Sequence, residues 1–253
     1  MQSGRSYFAY VYGQLSEKIL LSSATAILIF VQSVSTDAAH KRLSGQPFFN
    51  RQAIERLNER VRQTTRDTNL PVLHSSELIS HTGTFGEQLT AALHAAFTLG
   101  FEQVLVIGND CPALSASSLI QAAQQLSSAS VVLGPDQRGG LYLFGLSREV
   151  FDRVSLASLP WRTNRLVRVI HRIFAGRSVA LLPRLGDINN HADLQQYRSA
   201  SPATALFVAL LQQLGTPAQV PLPPPRLIRL MGILAGIRLL RAPPTFQATA
   251  FAA

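Results

Sequence analysis

Residues 104–112 read Val104-Leu105-Val106-Ile107-Gly108-Asn109-Asp110-Cys111-Pro112, an apolar run that passes directly into a turn. Four consecutive aliphatic residues are typical of a strand that is buried on both faces of a parallel sheet. Ligands of open α/β sheets bind beyond the carboxyl ends of the strands, so Asp110 stands where a metal ion or a phosphate would bind. The alternative is a structural turn residue, because Asn and Asp commonly satisfy backbone donors in turns.

Strand and helix patterns alternate on both sides of this stretch. Further strands are predicted over residues 26–31, 70–74, 130–133, 139–146 and 179–182. Helices are predicted over residues 50–65, 84–99, 115–126, 147–153, 164–175 and 192–198, the second of them opened by a capping box at Thr84 and Glu87. This order predicts an α/β fold with a doubly wound, mostly parallel sheet.

The chain is expected to have three parts. Residues 1–23 are interpreted as an N-terminal extension, and residues 24–200 as the α/β domain. Residues 201–253 form a predicted C-terminal helix followed by a proline-rich, basic and apolar tail, which would pack on the domain, on a protein partner or on a second copy.

Composition narrows the class of protein. The 253 residues are 47% hydrophobic, which is typical of a globular protein, and no stretch approaches the roughly 20 apolar residues of a membrane span. A net charge of +9 admits a nucleic-acid binder, but the arginines are scattered singly, so we expect no nucleic-acid partner. Cys111 is the only cysteine, and with no signal-peptide pattern this fits a cytoplasmic protein.

Several motifs together resemble one bacterial family. They are Gly83-Thr84-Phe85-Gly86-Glu87, Gly108-Asn109-Asp110-Cys111-Pro112, Gly134-Pro135 with Gly139-Gly140-Leu141-Tyr142-Leu143-Phe144-Gly145-Leu146, and Pro160-Trp161-Arg162-Thr163. In order and spacing they resemble the DUF2064 family of glycosyltransferase A-fold proteins, which are related to nucleotide-diphospho-sugar transferases. The resemblance covers residues 26–196 and implies a three-layer sandwich of this type.

The resemblance also implies roles for particular residues. Asp110 would hold Mg²⁺ or Mn²⁺ against the diphosphate of a nucleotide, and Asp187 would be a second metal ligand unless it caps a helix. Ser33, Lys41, Arg42 and Asn109 would contact the nucleotide and its cation. The acceptor side would comprise Arg138, Gly139, Gly140 and Trp161. The alternatives are a core position for Trp161, and a tight entry into the strand as the reason for one of the glycines.

The sequence departs from the family's pattern at three places. The loop after the first strand ends in Lys41-Arg42-Leu43 but lacks the glycine that many members carry before it. Arg138 stands where the family usually has an acid before the double glycine, and Asn189 replaces the second acid of an Asp-x-Asp pattern. Arg138 would then bind an anionic ligand, because its guanidinium suits carboxylates and phosphates.

Two functions remain open from these patterns. The first is a metal-dependent glycosyl- or nucleotidyltransferase that takes a nucleotide-sugar or a nucleoside triphosphate as donor. The second is a catalytically impaired nucleotide-binding or scaffold protein with the same fold, which the three departures favour. A basic nucleic-acid binder rests on net charge alone.

Overall fold

The computed structural model of the chain describes residues 25–196. A six-stranded sheet lies at the centre of this part of the chain. The strands are β1 (Thr25–Ile29), β2 (Val72–His74), β3 (Gln103–Ile107), β4 (Val131–Pro135), β5 (Leu141–Ser147) and β6 (Val179–Leu181). Their order is β2-β1-β3-β5-β4-β6, and β5 alone runs antiparallel to its neighbours. The predicted mostly parallel sheet is confirmed.

Helices cover both faces of this sheet. They are α1 (Val34–His40), α2 (Pro47–Arg66), α3 (Ser75–Leu78), α4 (Phe85–Thr98), α5 (Ala116–Leu126), α6 (Arg148–Arg153), α7 (Leu166–Ile173) and α8 (His191–Gln196). Leu93 of α4 and Ile170 of α7 are buried in one apolar cluster, on one face of the sheet. Val61 of α2 and Leu119 of α5 are buried in a second cluster on the other face, which gives the expected three layers.

The segment after β1 differs from its prediction. Residues 32–43 were expected to be a loop, but α1 occupies residues 34–40 of it. Ser33 starts this helix, because its Oγ accepts a hydrogen bond from the backbone N–H of Thr36 at 3.1 Å. A glycine is therefore not needed to turn the chain here, since a side chain satisfies one of the amides that begin the helix.

The capping box at the start of α4 is present. The Oγ1 of Thr84 accepts from the N–H of Glu87 at 3.3 Å, and Oε2 of Glu87 accepts from the N–H of Thr84 at 2.7 Å. The hydrogen bonds from the backbone and then from the hydroxyl of Thr84 lower the pKa of Glu87. The box fixes where α4 begins and thereby where Phe85 lies.

We expect Thr84→Ala to lower the free energy of unfolding by about 1 kcal/mol, because the first turn of α4 loses its side-chain acceptor. Urea denaturation measures this change. Thr98→Ala, at the exposed end of the same helix, is the matched control: its hydroxyl only bonds back to the carbonyl of His94, and alanine is the better helix former. Equal loss in both variants would contradict the role of the cap.

The predicted terminal parts, residues 1–23 and 201–253, lie outside the described residues. The predicted helix over residues 192–198 is observed as α8, within the range that is described. Within residues 25–196, no helix is both long and apolar enough to cross a bilayer.

Candidate functional site

A cavity of about 590 Å³ opens at one edge of the sheet. Its wall includes Gln32 after β1, Asp110 after β3, Asp136 after β4 and Asp187 after β6, and these four strands all run in the same direction. Strand β5 runs the other way, so that its first residue, Leu141, also lines the cavity. The cavity therefore occupies the crevice beyond the carboxyl ends of the parallel strands, where open α/β sheets bind their ligands.

Backbone hydrogen bonds join three loops at the polar end of the cavity. The N–H of Ile188 donates to the carbonyl oxygen of Asp110 at 2.7 Å, and the N–H of Arg42 donates to the carbonyl of Asn189 at 3.1 Å. These bonds bring Lys41, Asp110 and Asp187 to the same wall. The Nζ of Lys41 lies 3.5 Å from Oδ2 of Asp110, so a cation and a carboxylate that were predicted separately from the sequence are neighbours.

Asn109 organises a buried polar network behind this wall. Its Oδ1 accepts from Nζ of Lys41 at 2.7 Å, and its Nδ2 donates to Oδ2 of Asp37 at 3.0 Å and to Oδ1 of Asn58 at 2.7 Å. The Lys41 side chain is only 11% exposed, so its direction is fixed by these contacts. Sequence reasoning missed Asp37 and Asn58; the spacing of Asp37 and Lys41, one helical turn apart, is a signal that only becomes visible once α1 is known.

We expect Asn109→Ala to cost about 2 kcal/mol of folding free energy, because Asp37 and Asn58 lose their buried donor and Lys41 an acceptor. Chemical denaturation followed by circular dichroism measures it. Asn164→Ala, at an exposed position on the rim, is the control and should leave stability within about 0.5 kcal/mol of the parent. Should Asn109→Ala be as stable as that control, the network would not hold Lys41.

Asp187 lies on the cavity wall and belongs to an ion-pair cluster with Arg138 and Asp193. Arg138 donates to Asp187 at 3.3 Å and also to the carboxylate of Asp193. Burial raises the pKa of Asp187, the negative charge of Asp110 raises it further, and Arg138 opposes both. The hydrogen bond to Asp193 is the main cause of a raised pKa for Arg138.

Asp187 does not cap a helix in the part of the chain that is described. Asn190 begins α8 instead, since its Oδ1 accepts from the N–H of Asp193 at 3.1 Å, and Oδ2 of Asp193 accepts from the N–H of Asn190 at 3.1 Å. This reciprocal cap is built like the Ser/Thr-x-x-Glu box and could be read from the sequence. With the capping role taken by Asn190, Asp187 is left to face the cavity and Arg138.

Asp136 shapes the turn that carries the double glycine. Its Oδ1 accepts from the N–H of Arg138 and from the N–H of Gly140, each at 2.7 Å. Gly139 has φ +91°, and a Cβ on Gly140 would collide with the Asp136 carboxylate. The geometry of the turn itself therefore explains why both positions are glycine. Of the two, Gly140 lines the cavity and Gly139 does not.

The other end of the cavity is aromatic. Trp161 packs against Phe85 and Phe144 with ring centroids 5.7 and 5.9 Å apart, and its Nε1 donates to the carbonyl of Leu156 at 2.7 Å. Trp161 is therefore both a half-buried packing residue and part of the cavity wall. Arg162 lies over the Phe85 ring, 4.7 Å from its centroid.

Two of the residues predicted to bind the nucleotide lie elsewhere. Ser33 caps α1 and is exposed, and Arg42 is exposed with its backbone bridged to Asn190; neither lines the cavity. Cys111 is buried, and burial raises the pKa of its thiol, so that it is a packing residue at the back of the site.

The donor set of the site fits a hard divalent cation that keeps substrate and water ligands. Asp110 and Asp187 are two carboxylates on one wall, close enough for the charge of one to raise the pKa of the other. Within residues 25–196, no group of three or more His, Cys, Asp or Glu side chains could enclose a metal ion. Mg²⁺ and similar ions are commonly held by one or two carboxylates together with substrate phosphates, which is the arrangement available here.

Comparison with known proteins agrees with this fold. The family described as "Uncharacterized protein conserved in bacteria (DUF2064)" matches residues 60–161, which confirms the resemblance of the motifs. No curated protein matches the sequence. A crystal structure from Desulfovibrio desulfuricans G20, described as a "putative nucleotide-diphospho-sugar transferase", is 18% identical, with a TM-score of 0.61 over 76% of this chain and 99% of that one.

Two further solved structures match with lower TM-scores. The manganese complex of Rv0371C from Mycobacterium tuberculosis H37Rv is 14% identical and covers 68% of this chain and 96% of its own, with a TM-score of 0.43. A cytidylyltransferase from Leptospira borgpetersenii serovar Hardjo-bovis (strain JB197) is 15% identical over 76% of this chain and 94% of its own, also with a TM-score of 0.43. The match with a TM-score of 0.61 is only 18% identical and establishes a shared fold alone.

Proposed function

We propose that this chain, whose residues 60–161 match the DUF2064 family, is a metal-dependent glycosyl- or nucleotidyltransferase. Its donor would be a nucleotide-sugar or a nucleoside triphosphate. The observation that carries the proposal is the convergence of Lys41, Asp110 and Asp187 on one cavity beyond the strand ends. The ammonium group of Lys41, two carboxylates and a crevice of that size are what the diphosphate of a nucleotide with Mg²⁺ or Mn²⁺ requires.

Each group has a distinct task in this proposal. Asp110 and Asp187 would hold the divalent cation, which neutralises negative charge that develops on a departing diphosphate or pyrophosphate. Lys41, held in place by Asn109, would bind a phosphate oxygen through its ammonium group. Gly140 allows the acceptor to approach the backbone, and the aromatic wall at Trp161 excludes water from one side of the cavity.

A second candidate function follows from Arg138. Its guanidinium neutralises Asp187, the carboxylate that would otherwise share the cation with Asp110. Arg138 also stands in place of the acid that would precede the double glycine and activate an acceptor, and the substitute two residues earlier, Asp136, already accepts hydrogen bonds from the amides of Arg138 and Gly140. A nucleotide-binding protein that does not turn over its ligand is the alternative.

Thermal shift followed by calorimetry separates the two functions. The full-length protein is screened with the four nucleoside triphosphates and with UDP- and GDP-sugars, each with Mg²⁺, Mn²⁺ or EDTA. A transferase gives cation-dependent binding together with slow release of pyrophosphate, or of the nucleoside diphosphate from a sugar donor. Cation-dependent binding without release in the presence of candidate acceptors supports the alternative, and no binding of any nucleotide would refute both.

A further inference from the structure

One segment of the described chain is basic and has no compensating acid. Between Asp152 and Asp187 there is no Asp or Glu. The segment contains seven arginines, Arg153, Arg162, Arg165, Arg168, Arg172, Arg177 and Arg184. Two of these arginines have partners, since Arg184 donates to the backbone carbonyl of Asp136 and Arg153 pairs with Glu149. These contacts account for only part of the positive charge of the segment.

Helix α7 and its N-cap residue, Arg165, place three of these arginines on one exposed face. Arg165, Arg168 and Arg172 follow one another at helical spacings of three and four residues, so they lie side by side. The opposite face is fixed, since Leu166 and Ile170 are buried in the core. Among residues 25–196, no carboxylate forms an ion pair with any of the three, although all three are exposed.

The arginine face is continuous with the cavity. Arg162 precedes α7, lines the cavity and lies over Phe85. Its backbone has φ +61°, a left-handed conformation that is uncommon for arginine and marks a constrained position. Thr163 and Asn164, between Arg162 and the helix, line the cavity as well. Arg162, Arg165, Arg168 and Arg172, here called the arginine strip, therefore lead from the cavity mouth onto the surface.

The length of the strip indicates what it would bind. From Arg165 to Arg172 the helix rises by roughly 10 Å, at about 1.5 Å per residue. A single phosphate or carboxylate cannot contact all of these side chains, so the occupant must carry several anionic groups along its length. A bilayer surface or a nucleic-acid duplex is too wide to follow the strip into a cavity of about 590 Å³, whereas a single linear chain can do so.

We propose that the arginine strip binds the acceptor substrate, and that this acceptor is a linear chain bearing several carboxylate, sulfate or phosphate groups. The inference rests on the proposed transferase function for the chemistry at the cavity, but the binding surface stands apart from Lys41, Asp110 and Asp187. Arginine suits such groups because its planar fork can form two parallel hydrogen bonds to one anion. The end of the chain would enter the cavity past Arg162 and Trp161.

The test uses a triple variant of the full-length protein, Arg165→Gln with Arg168→Gln and Arg172→Gln. The matched control is Arg51→Gln with Arg56→Gln and Arg66→Gln, three exposed arginines of α2, which removes the same net charge. The probe is a heparin-derived octasaccharide, a linear chain of sulfate and carboxylate groups, measured by calorimetry at two salt concentrations. Vesicles of phosphatidylglycerol and a 20-base-pair DNA duplex are measured in parallel.

We expect the triple variant to bind the octasaccharide at least tenfold more weakly than the parent, and the control less than twofold more weakly. Equal weakening in both variants would show that net charge alone attracts the probe and would overturn the proposal. Tighter binding of the vesicles or of the duplex than of the octasaccharide, lost in the triple variant, would overturn it too, because the strip would then serve a different partner.

The nucleotide affinity of the triple variant tests the proposed transferase function separately from the arginine strip. The triple variant retains Lys41, Asp110 and Asp187, so its cation-dependent nucleotide affinity should equal that of the parent within about twofold. If the parent binds the octasaccharide through the strip but binds no nucleotide, the strip is established and the transferase is rejected. If nucleotide binds and the octasaccharide does not, the strip is rejected and the transferase stands.

Discussion

Asp110→Ala should abolish the part of nucleotide binding that depends on a divalent cation, weakening it by more than about 100-fold. The loss should exceed the 10- to 100-fold that follows when only the partner of a metal ligand is changed, because Asp110 itself would be the ligand. Lys41 keeps its hydrogen bond to Asn109 in this variant, so the polar network and the fold should persist. Calorimetric titration of the nucleotide with Mn²⁺ and with EDTA measures the effect.

The cation-independent part of the binding provides an internal check. Lys41 remains in place to attract phosphate, so a weak affinity that is the same with Mn²⁺ and with EDTA should survive in Asp110→Ala. Asp152→Ala is the matched control, since Asp152 is exposed on α6 and removes the same charge. If Asp110→Ala responds to Mn²⁺ as strongly as Asp152→Ala does, the cation is held elsewhere.

Arg138→Gln is the second variant with a large expected effect, and the direction of the change in Mn²⁺ affinity distinguishes two roles for Arg138. Removing a positive charge that pairs with Asp187 at 3.3 Å should raise the affinity for Mn²⁺ about tenfold, because the cation no longer competes with a guanidinium. A larger gain is not expected, because the Arg138 side chain is 48% exposed and its charge is screened by solvent. Asp193 keeps its bonds to the amides of Asn189 and Asn190, so α8 should remain capped.

The opposite result distinguishes a different role for Arg138. If the guanidinium binds an anionic ligand, as the sequence first suggested, Arg138→Gln should weaken nucleotide binding and leave Mn²⁺ affinity unchanged. Arg153→Gln is the control, because Arg153 forms an exposed pair with Glu149 on α6 and lies outside the cavity lining. Mn²⁺ titration followed by electron paramagnetic resonance, with and without nucleotide, reads both quantities.

The sheet was predictable because its strands are short apolar runs in a regular alternation with amphipathic helices. Residues 104–107, for example, are buried between two layers, and a strand buried on both faces leaves a continuous aliphatic signature. The reversed direction of β5 has no comparable signature, since apolar content is the same in either direction. The helix at residues 34–40 was missed because its cap, Ser33, resembles an ordinary loop serine in sequence.

Asp110 could be placed at the site from the sequence, because its position follows from the end of β3. Its partners could not be, since they depend on contacts between loops that are far apart in the chain. Three strands lie between Asp110 and Ile188 in the chain, so their backbone hydrogen bond cannot be read from the local sequence. The ion pair of Arg138 and Asp193 likewise joins two residues that are far apart in the sequence. The arginine strip could be read in part from the sequence, because Arg165, Arg168 and Arg172 fall at helical spacing within the predicted helix over residues 164–175. The position of Arg162 on the cavity wall could not be, because it depends on contacts with distant residues.

We propose that a divalent cation and a nucleotide diphosphate meet at Asp110, Asp187 and Lys41. Anomalous diffraction from crystals grown with MnCl₂ and the nucleotide that gives the largest thermal shift tests this most directly. We expect one manganese peak at roughly 2.1 Å from an Asp110 carboxylate oxygen and from phosphate oxygens, a distance usual for small divalent ions, with Nζ of Lys41 in contact with a phosphate. A manganese peak away from Asp110, or a nucleotide whose phosphates lie outside the cavity, would contradict it.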